Sequence, residues 1–299
     1  MIKNFKEMEK QAKELPSKRV ALAMAEEDDV LTAIVKAAEE DIVVPVLVGD
    51  EAKIKEIAKQ EKLDLSKCTI VHTVGEKECA AKAVELVRNG QADLLMKGKV
   101  ATSSIMKAVL NKEIGLRAEG VISHITVFEA PLYHKLIFMT DAAMTIAPTL
   151  DEKVGLINNA VAVTQKFGVK KPKVGVICAV EKVNAESMPA TADAALLSKM
   201  AERGQIKNCI IDGPFALDNA ISKKSCEVKG IVTDVGGDAD ILLMPDLVAA
   251  NVMYKTVGYL TEIKMAGVIV GAKVPIILTS RADNEEIKYL SILTGVSIV

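Results

Sequence analysis

Short β-branched runs alternate with amphipathic stretches along almost the whole chain. Apolar runs at 20–24, 43–48, 69–72, 93–96, 121–128, 135–140, 173–179, 208–212, 240–244 and 274–279 predict strands. Helical spacing of apolar residues predicts helices at 28–40, 51–60, 76–89, 102–112, 150–167, 191–203, 246–265 and 283–297. The strands read as continuous apolar runs, as in a parallel sheet covered by helices on both faces. The fold class is therefore α/β, three-layered, with mostly parallel sheets. The rhythm breaks near 120–150. Strands 121–128 and 135–140 are separated only by EAPLYH, too little for a crossover helix, so they are expected to pair antiparallel. The helix at 150–167 then opens a second alternating series. This places one α/β domain over 1–145 and a second from 146 onward.

Composition narrows the function. A chain of 299 residues suggests two domains of ordinary size, and 50% hydrophobic residues supply ample core. With 38 basic and 40 acidic residues the net charge is −2, which gives no electrostatic case for nucleic acid or an anionic membrane. Trp is absent, and 5 Phe with 4 Tyr make neither a base-stacking platform nor an aromatic sugar cleft. The N-terminal stretch MIKNFKEMEKQAKEL is charged throughout, without the apolar core of a signal peptide. No apolar run reaches membrane-spanning length. Cys68, Cys79, Cys178, Cys209 and Cys226 form no C-x-x-C pair and read as small hydrophobes, which fits a reducing cytoplasm. His72, His124 and His134 have no H-x-x-x-H spacing, so no metal site is expected. An enzyme acting on something small remains.

In open α/β sheets the chemistry gathers in the loops after the strands. Five such loops carry suitable residues. In LLMKGKVATSSIMKAVL (94–110), Lys97, Gly98 and Lys99 form a tight loop, Thr102 is placed to cap the next helix, and Lys107 lies on it. Loop backbone, helix N-terminus and lysines make an anion site, or only a capped helix with solvated lysines. In FMTDAAMTIAP (138–148), Asp141 follows a strand and precedes a helix, where it caps or holds a substrate group. In IIDGPFALDNAI (210–221), Asp212, Gly213 and Pro214 close a strand and start a helix, with Asp218 on its second turn. In ADILLMPDLVAANVMYKTVGYL (239–260), Asp246 caps a helix whose Asn251 and Lys255 share one face. In VPIILTSRADNEEIKYL (274–290), Ser280 and Arg281 follow a strand, and Asp283 is the expected N-cap of the last helix. Arg suits bidentate phosphate binding, yet Thr279-Ser280-Arg281-Ala282-Asp283 also reads as an ordinary capped turn.

Taken in this order the five loops resemble the phosphate acetyl/butyryltransferase family. The most specific segments are IDGPFALDNA (211–220), ADILLMPDLVAANVMYK (239–255) and GAKVPIILTSRADNEE (271–286). The details resemble the butyryl branch. The acetyl branch usually carries Asp-Leu-Ser-Arg-Gly where this chain has Leu278-Thr279-Ser280-Arg281-Ala282, and an Arg where it has Lys107. The resemblance implies two α/β domains with a cleft between, similar to the isocitrate and isopropylmalate dehydrogenases. It also implies that the chain's end returns to the first domain, giving 1–145 plus 277–299 against 146–276.

The implied reaction joins acyl-CoA and inorganic phosphate to give acyl phosphate and CoA, reversibly, by direct attack. CoA is a substrate, and no metal or redox cofactor is implied. A thiol of pKa about 8.5 is mostly protonated at neutral pH, so a base and a hydrogen-bonding group help. By resemblance Ser280 lies at the thiol and Arg281 at the phosphate, with Lys107 in place of an Arg. The base aligns on Glu286 after a one-residue gap, with Glu285 and Asp283 as neighbours. Lys97, Gly98, Lys99, Thr102, Lys107, Asp141, Asp212, Gly213, Asn251, Lys255 and Asp283 complete the expected substrate-binding set. A homodimer or larger homo-oligomer is the default assembly. The rivals are an acetyl-specific enzyme, a metal- and nicotinamide-dependent decarboxylating dehydrogenase on the same fold, and a non-catalytic acyl-CoA sensor.

Overall fold

The computed structural model describes residues 1–280 and 283–299. In chain order its elements begin α1 (Phe5–Glu14), β1 (Lys18–Ala23), α2 (Asp28–Glu39), β2 (Val43–Gly49), α3 (Glu51–Gln60), β3 (Thr69–His72) and α4 (Glu76–Arg88). They continue with β4 (Leu94–Lys97), α5 (Thr102–Val109), β5 (Ser123–Glu129), β6 (Ile137–Thr140), α6 (Leu150–Lys166), β7 (Lys173–Ile177) and α7 (Pro189–Glu202). The last are β8 (Ile210–Phe215), α8 (Leu217–Ile221), α9 (Lys223–Lys229), β9 (Ile241–Leu243), α10 (Leu247–Leu260), β10 (Lys264–Val270), β11 (Ile276–Ile277) and α11 (Glu285–Ser297).

The chain forms two compact units. One comprises Phe5–Glu119 and Ala266–Val299, the other Met1–Asn4 and Gly120–Met265. The sequence reading had put the changeovers at 145/146 and 276/277. The hairpin β5–β6 lies with the second unit because β6 pairs with β9. Most of β10 lies with the first unit, where it pairs antiparallel with β11.

In the first unit the strand order is β3-β2-β1-β4-β11-β10. Every pair from β3 to β11 is parallel. β4 is buried at all its positions, as a strand covered on both faces must be. α11 packs against α2 and α1 and is buried from Lys288 to Ser297. Its polar positions survive burial because Ser291, Thr294 and Ser297 each donate to the carbonyl four residues back. In the second unit the order is β5-β6-β9-β7-β8, with β5 antiparallel to β6 as expected and the rest parallel. α6 opens with a complete capping box between Thr149 and Glu152.

The sequence reading does not include α1, α9 or β10. The charged N-terminus is helix α1, because Phe5, Met8 and Ala12 fall on one stripe and are buried. The helix expected over 246–265 ends at Leu260, and Lys264–Val270 is strand β10. Its run MAGVIV is buried through Ile269, and pairing with β11 decides its conformation.

Candidate active site

In the first unit three loops leave neighbouring strand ends. Ala23 of β1 stands opposite Lys97 of β4, and Met96 opposite Ile277 of β11. The segments after Ala23, Lys97 and Ile277 therefore emerge side by side at the carboxyl edge. Gly98 N–H donates to Ala23 O (2.9 Å) and Lys99 N–H to Met24 O (2.8 Å). A Cβ on Gly98 would lie 2.3 Å from Met24 O, so only glycine lets these loops touch. Lys97 is 4% exposed and donates from Nζ to Gly98 O at 3.1 Å. Lys99 is exposed.

Thr102 is not the cap of α5. The N-cap is Ala101, which makes no side-chain cap, and its N–H donates to Glu76 Oε1 at 2.9 Å. Glu76 of α4 thus holds the N-cap residue itself, and Ala101 O accepts from Ser104 and Ile105 N–H. Lys107 lies on the exposed side of α5 beside a cavity between α4 and α5.

The turn after β11 is closed on itself. Ser280 N–H donates to Asp283 Oδ2 at 2.6 Å, and Asp283 N–H to Ser280 O at 3.2 Å. Asp283 is buried and is not the N-cap of α11. That cap is Asn284, whose Oδ1 accepts from Ile287 N–H at 3.0 Å. The one-residue shift matters. Position N3 is now Ile287, so Glu286 is not placed for a capping box. Glu286 is exposed on the first turn. Arg281, expected at the phosphate, lies outside the described residues, as does Ala282.

Sequence reasoning missed the support behind this turn. Lys288 is 1% exposed, and its Nζ meets Glu27 Oε1 at 2.5 Å and Asp29 Oδ2 at 3.4 Å. Glu27 stands at the N-cap of α2 but makes no cap there. The ion pair ties α11 to the segment after β1. A lysine inside a helical run gives no local sign of this, since the partner is 261 residues away.

In the second unit Asp141 follows β6 and is 2% exposed. The next helix, α6, begins at Leu150 as expected, and its cap is Thr149, so Asp141 does not cap it. Asp141 instead closes a turn, accepting from Ala143 and Met144 N–H (2.9 Å each) and from Thr145 Oγ1 (3.2 Å). Asn251 reaches the same turn, donating to Ala142 O at 3.1 Å. Asp246 caps α10 as expected, accepting from Ala249 N–H. One turn beyond Asn251, Lys255 Nζ lies 5.6 and 5.7 Å from the ring centres of Tyr254 and Tyr259. Tyr254 meets the buried His124 of β5 edge-on at 6.1 Å. Burial holds the His124 pKa below the ordinary imidazole value, against the opposing pull of Asp141. His124 was read only as a non-metal histidine, and nothing in its local sequence marks its surroundings.

Asp212 and Gly213 are not brought to Asp141. Two strands separate β8 from β6, a spacing of about 14 Å. Asp212 accepts from Gly213 N–H (2.8 Å) and Thr233 Oγ1 (2.5 Å), anchoring the following turn. Pro214 does not start a helix: β8 continues to Phe215 and α8 begins at Leu217, with Asp218 in its first turn. Close packing holds the segment extended, since a Cβ on Gly213 would lie 2.9 Å from Val176 O.

Residues 4–81 and 69–295 match the family described as "Phosphate acetyl/butaryl transferase". The chain belongs to that family. It is 50% identical over 292 residues to phosphate butyryltransferase of Clostridium beijerinckii, covering 98% of this chain and 96% of that protein. It is 44% identical over 275 residues to phosphate acetyltransferase of Thermotoga maritima, covering 92% and 93%. Among solved structures it is similar to a branched-chain phosphotransacylase from Enterococcus faecalis, with TM-score 0.83 and 30% identity over 94% of this chain and 98% of that one. A 4-hydroxythreonine-4-phosphate dehydrogenase from Klebsiella pneumoniae shares the fold alone, with TM-score 0.56 and 10% identity over 94% of this chain and 99% of that one. The chain is thus an acyltransferase of this family, and the dehydrogenase reading falls away. No helix among the described residues is long and apolar enough to cross a membrane.

Proposed function

We propose that the protein transfers a short acyl group, butyryl or similar, reversibly between CoA and inorganic phosphate. One observation in the structure carries the reading: the Lys97–Lys99 loop and the closed Ser280–Asp283 turn leave adjacent parallel strands. An anion site and a thiol-facing hydroxyl then stand side by side. Phosphate is held by Arg281 and Lys107, with Lys97, Lys99, Gly98 and Thr102 supplying positive charge and N–H groups. A phosphate oxygen attacks the thioester carbonyl, the tetrahedral oxyanion collapses, and the C–S bond breaks. Ser280 hydrogen-bonds the departing sulfur, and Glu286 exchanges the thiol proton in both directions. Asp283 holds Ser280 by its N–H, which leaves it a positioning group. In the second unit Asn251 and Lys255 bind substrate and Asp141 shapes the turn beside Asn251, while the bonds of Asp212 and Gly213 favour a structural part.

CoA enters as substrate, and the chemistry as written needs no metal or redox cofactor. Val248, Val252, Tyr259 and Leu260 are exposed on α10, which supports a homodimer or larger assembly. The free cysteines among the described residues are in keeping with a cytoplasmic protein. The test is release of CoA from butyryl-CoA in chelator-treated buffer, with and without phosphate. Phosphate-dependent release is expected. Release that ignores phosphate, or that a divalent ion must restore, overturns the corresponding part of the reading.

A further inference from the structure

We propose that the slot between α4 and α5 holds the acyl chain of the substrate and sets its length. The inference rests on the proposed activity and on Lys107 meeting the phosphate. The slot has a volume of about 200 Å³. It is lined by Lys77, Ala81 and Val84 from α4, by Ser104, Lys107 and Ala108 from α5, and by Asn111 and Ile114 beyond the end of α5.

Lys77, Ser104, Lys107 and Asn111 are the polar groups of the slot, and Ala81, Val84, Ala108 and Ile114 form its apolar lining. α4 and α5 both begin at the carboxyl edge of the sheet, following β3 and β4. Ser104 and Lys107 lie on the first two turns of α5, close to the Lys97–Lys99 loop in sequence. Ala108 adjoins Lys107 in the chain, so charge and apolar surface lie side by side on α5. A ligand with an anionic head at Lys107 and a short hydrocarbon tail fits this pairing of charge with Ala81, Val84, Ala108 and Ile114. A free phosphate leaves the apolar part empty, and a charged tail would be desolvated there.

Side-chain size makes the room. Ala81 and Ala108 contribute only methyl groups where the two helices face one another. Asn111 Oδ1 accepts from Glu113 and Ile114 N–H (2.9 and 3.0 Å), which fixes the turn that carries Ile114. Ile114 is 52% exposed, so its side chain is open to a ligand in the slot. It also borders a second cavity of about 420 Å³ that shares Ala81, so its side chain is a wall common to the two. An acetyl group held at Lys107 makes little use of this wall, and a four-carbon chain makes more.

The experiment fills the slot. Ala81→Leu and Ala108→Leu add bulk at an exposed and a half-buried helical position, where leucine is a good helix former. With phosphate as co-substrate, kcat/KM is measured for acetyl-CoA and butyryl-CoA. Each methylene in an apolar pocket is worth about tenfold or more, so the butyryl-to-acetyl ratio is expected to drop at least about tenfold in either variant. Ile114→Ala is expected to lower the same ratio several-fold with an unchanged Tm. An unchanged ratio in all three active variants overturns the slot as the acyl site. So does an equal loss for both acyl groups traced to KM for phosphate. Failure of the unmodified protein with every acyl-CoA overturns the activity itself, which is a separate result.

Discussion

A one-residue frame decides the roles of the acidic side chains at the start of α11. Asp283 binds Ser280 N–H, Asn284 caps the helix, and Glu286 is left on the exposed first turn. Removing the Asp283 charge weakens a buried, charge-assisted hydrogen bond that is worth about 1.5–3 kcal/mol. Asp283→Asn is therefore expected to lower Tm and to reduce kcat modestly through a looser Ser280. Glu286→Gln is expected to leave Tm in place and lower kcat about 10²–10⁴-fold, as loss of a general base does. Chemical denaturation of both variants alongside steady-state kinetics separates the two patterns. A Glu286→Gln enzyme with full kcat moves the base elsewhere. The sequence already held all three carboxylates in view. It could not say which of two good N-cap residues in succession, Asp283 or Asn284, would take the cap, because both have the chemistry.

At the scale of the element, α11 is held by a charge as well as by packing. Lys288 is buried against α2, and Glu27 and Asp29 are its partners. Cutting one side of a buried pair leaves the other charge uncompensated, at a cost of about 3–5 kcal/mol for full burial and less here, since Glu27 keeps partial exposure. Lys288→Met should therefore destabilise clearly. The double variant Lys288→Met with Glu27→Gln should recover part of the loss, because the nearer and more buried carboxylate is no longer stranded and only the more exposed Asp29 remains. Urea midpoints for the wild type, both single variants and the double variant form the cycle that checks this. Simple additivity would mean that the two groups do not interact. The same contact explains an unexpected feature of α11. Its sequence looks like a solvated first turn followed by an apolar run, yet all residues from Lys288 to Ser297 are buried.

For the whole molecule, two groups in the second unit make stability depend on acid. His124 is neutral in the fold, because burial lowers its pKa. The unfolded chain takes up a proton below about 6.5 that the folded chain refuses, so stability falls as pH drops through that value. Asp238 acts lower. Burial raises its pKa, but hydrogen bonds from Lys173 and Lys135 outweigh this and hold it well below the ordinary carboxylate range. Its contribution is complete above the unfolded value of about 3.9 and is lost as pH falls from there toward the folded one. Thermal unfolding from pH 8 to pH 3 should show a decline below about 6.5 and a second one below about 4. His124→Asn should flatten the first and Asp238→Asn the second. A first decline that survives in His124→Asn would place the titrating group elsewhere.

What the sequence determined by itself was whatever depends on local spacing. Apolar period and β-branching placed ten of the strands and eight helices near their positions, and the six-residue gap after 128 foretold the antiparallel hairpin. The five loops were found for the same reason, since a loop after a strand is visible as a break in the period. What only the tertiary structure decided depends on partners far apart in the chain. MAGVIV became strand β10 by pairing with β11. Glu76, not Thr102, served the start of α5. Gly213 and Pro214 stayed in a strand because Val176 packs against them. Lys288 became a buried cation only because Glu27 and Asp29 arrive beside it. A hydrogen bond or an ion pair in the interior has an energy set by its partner's position. Local pattern carries the propensity of each residue, and the fold supplies the partner.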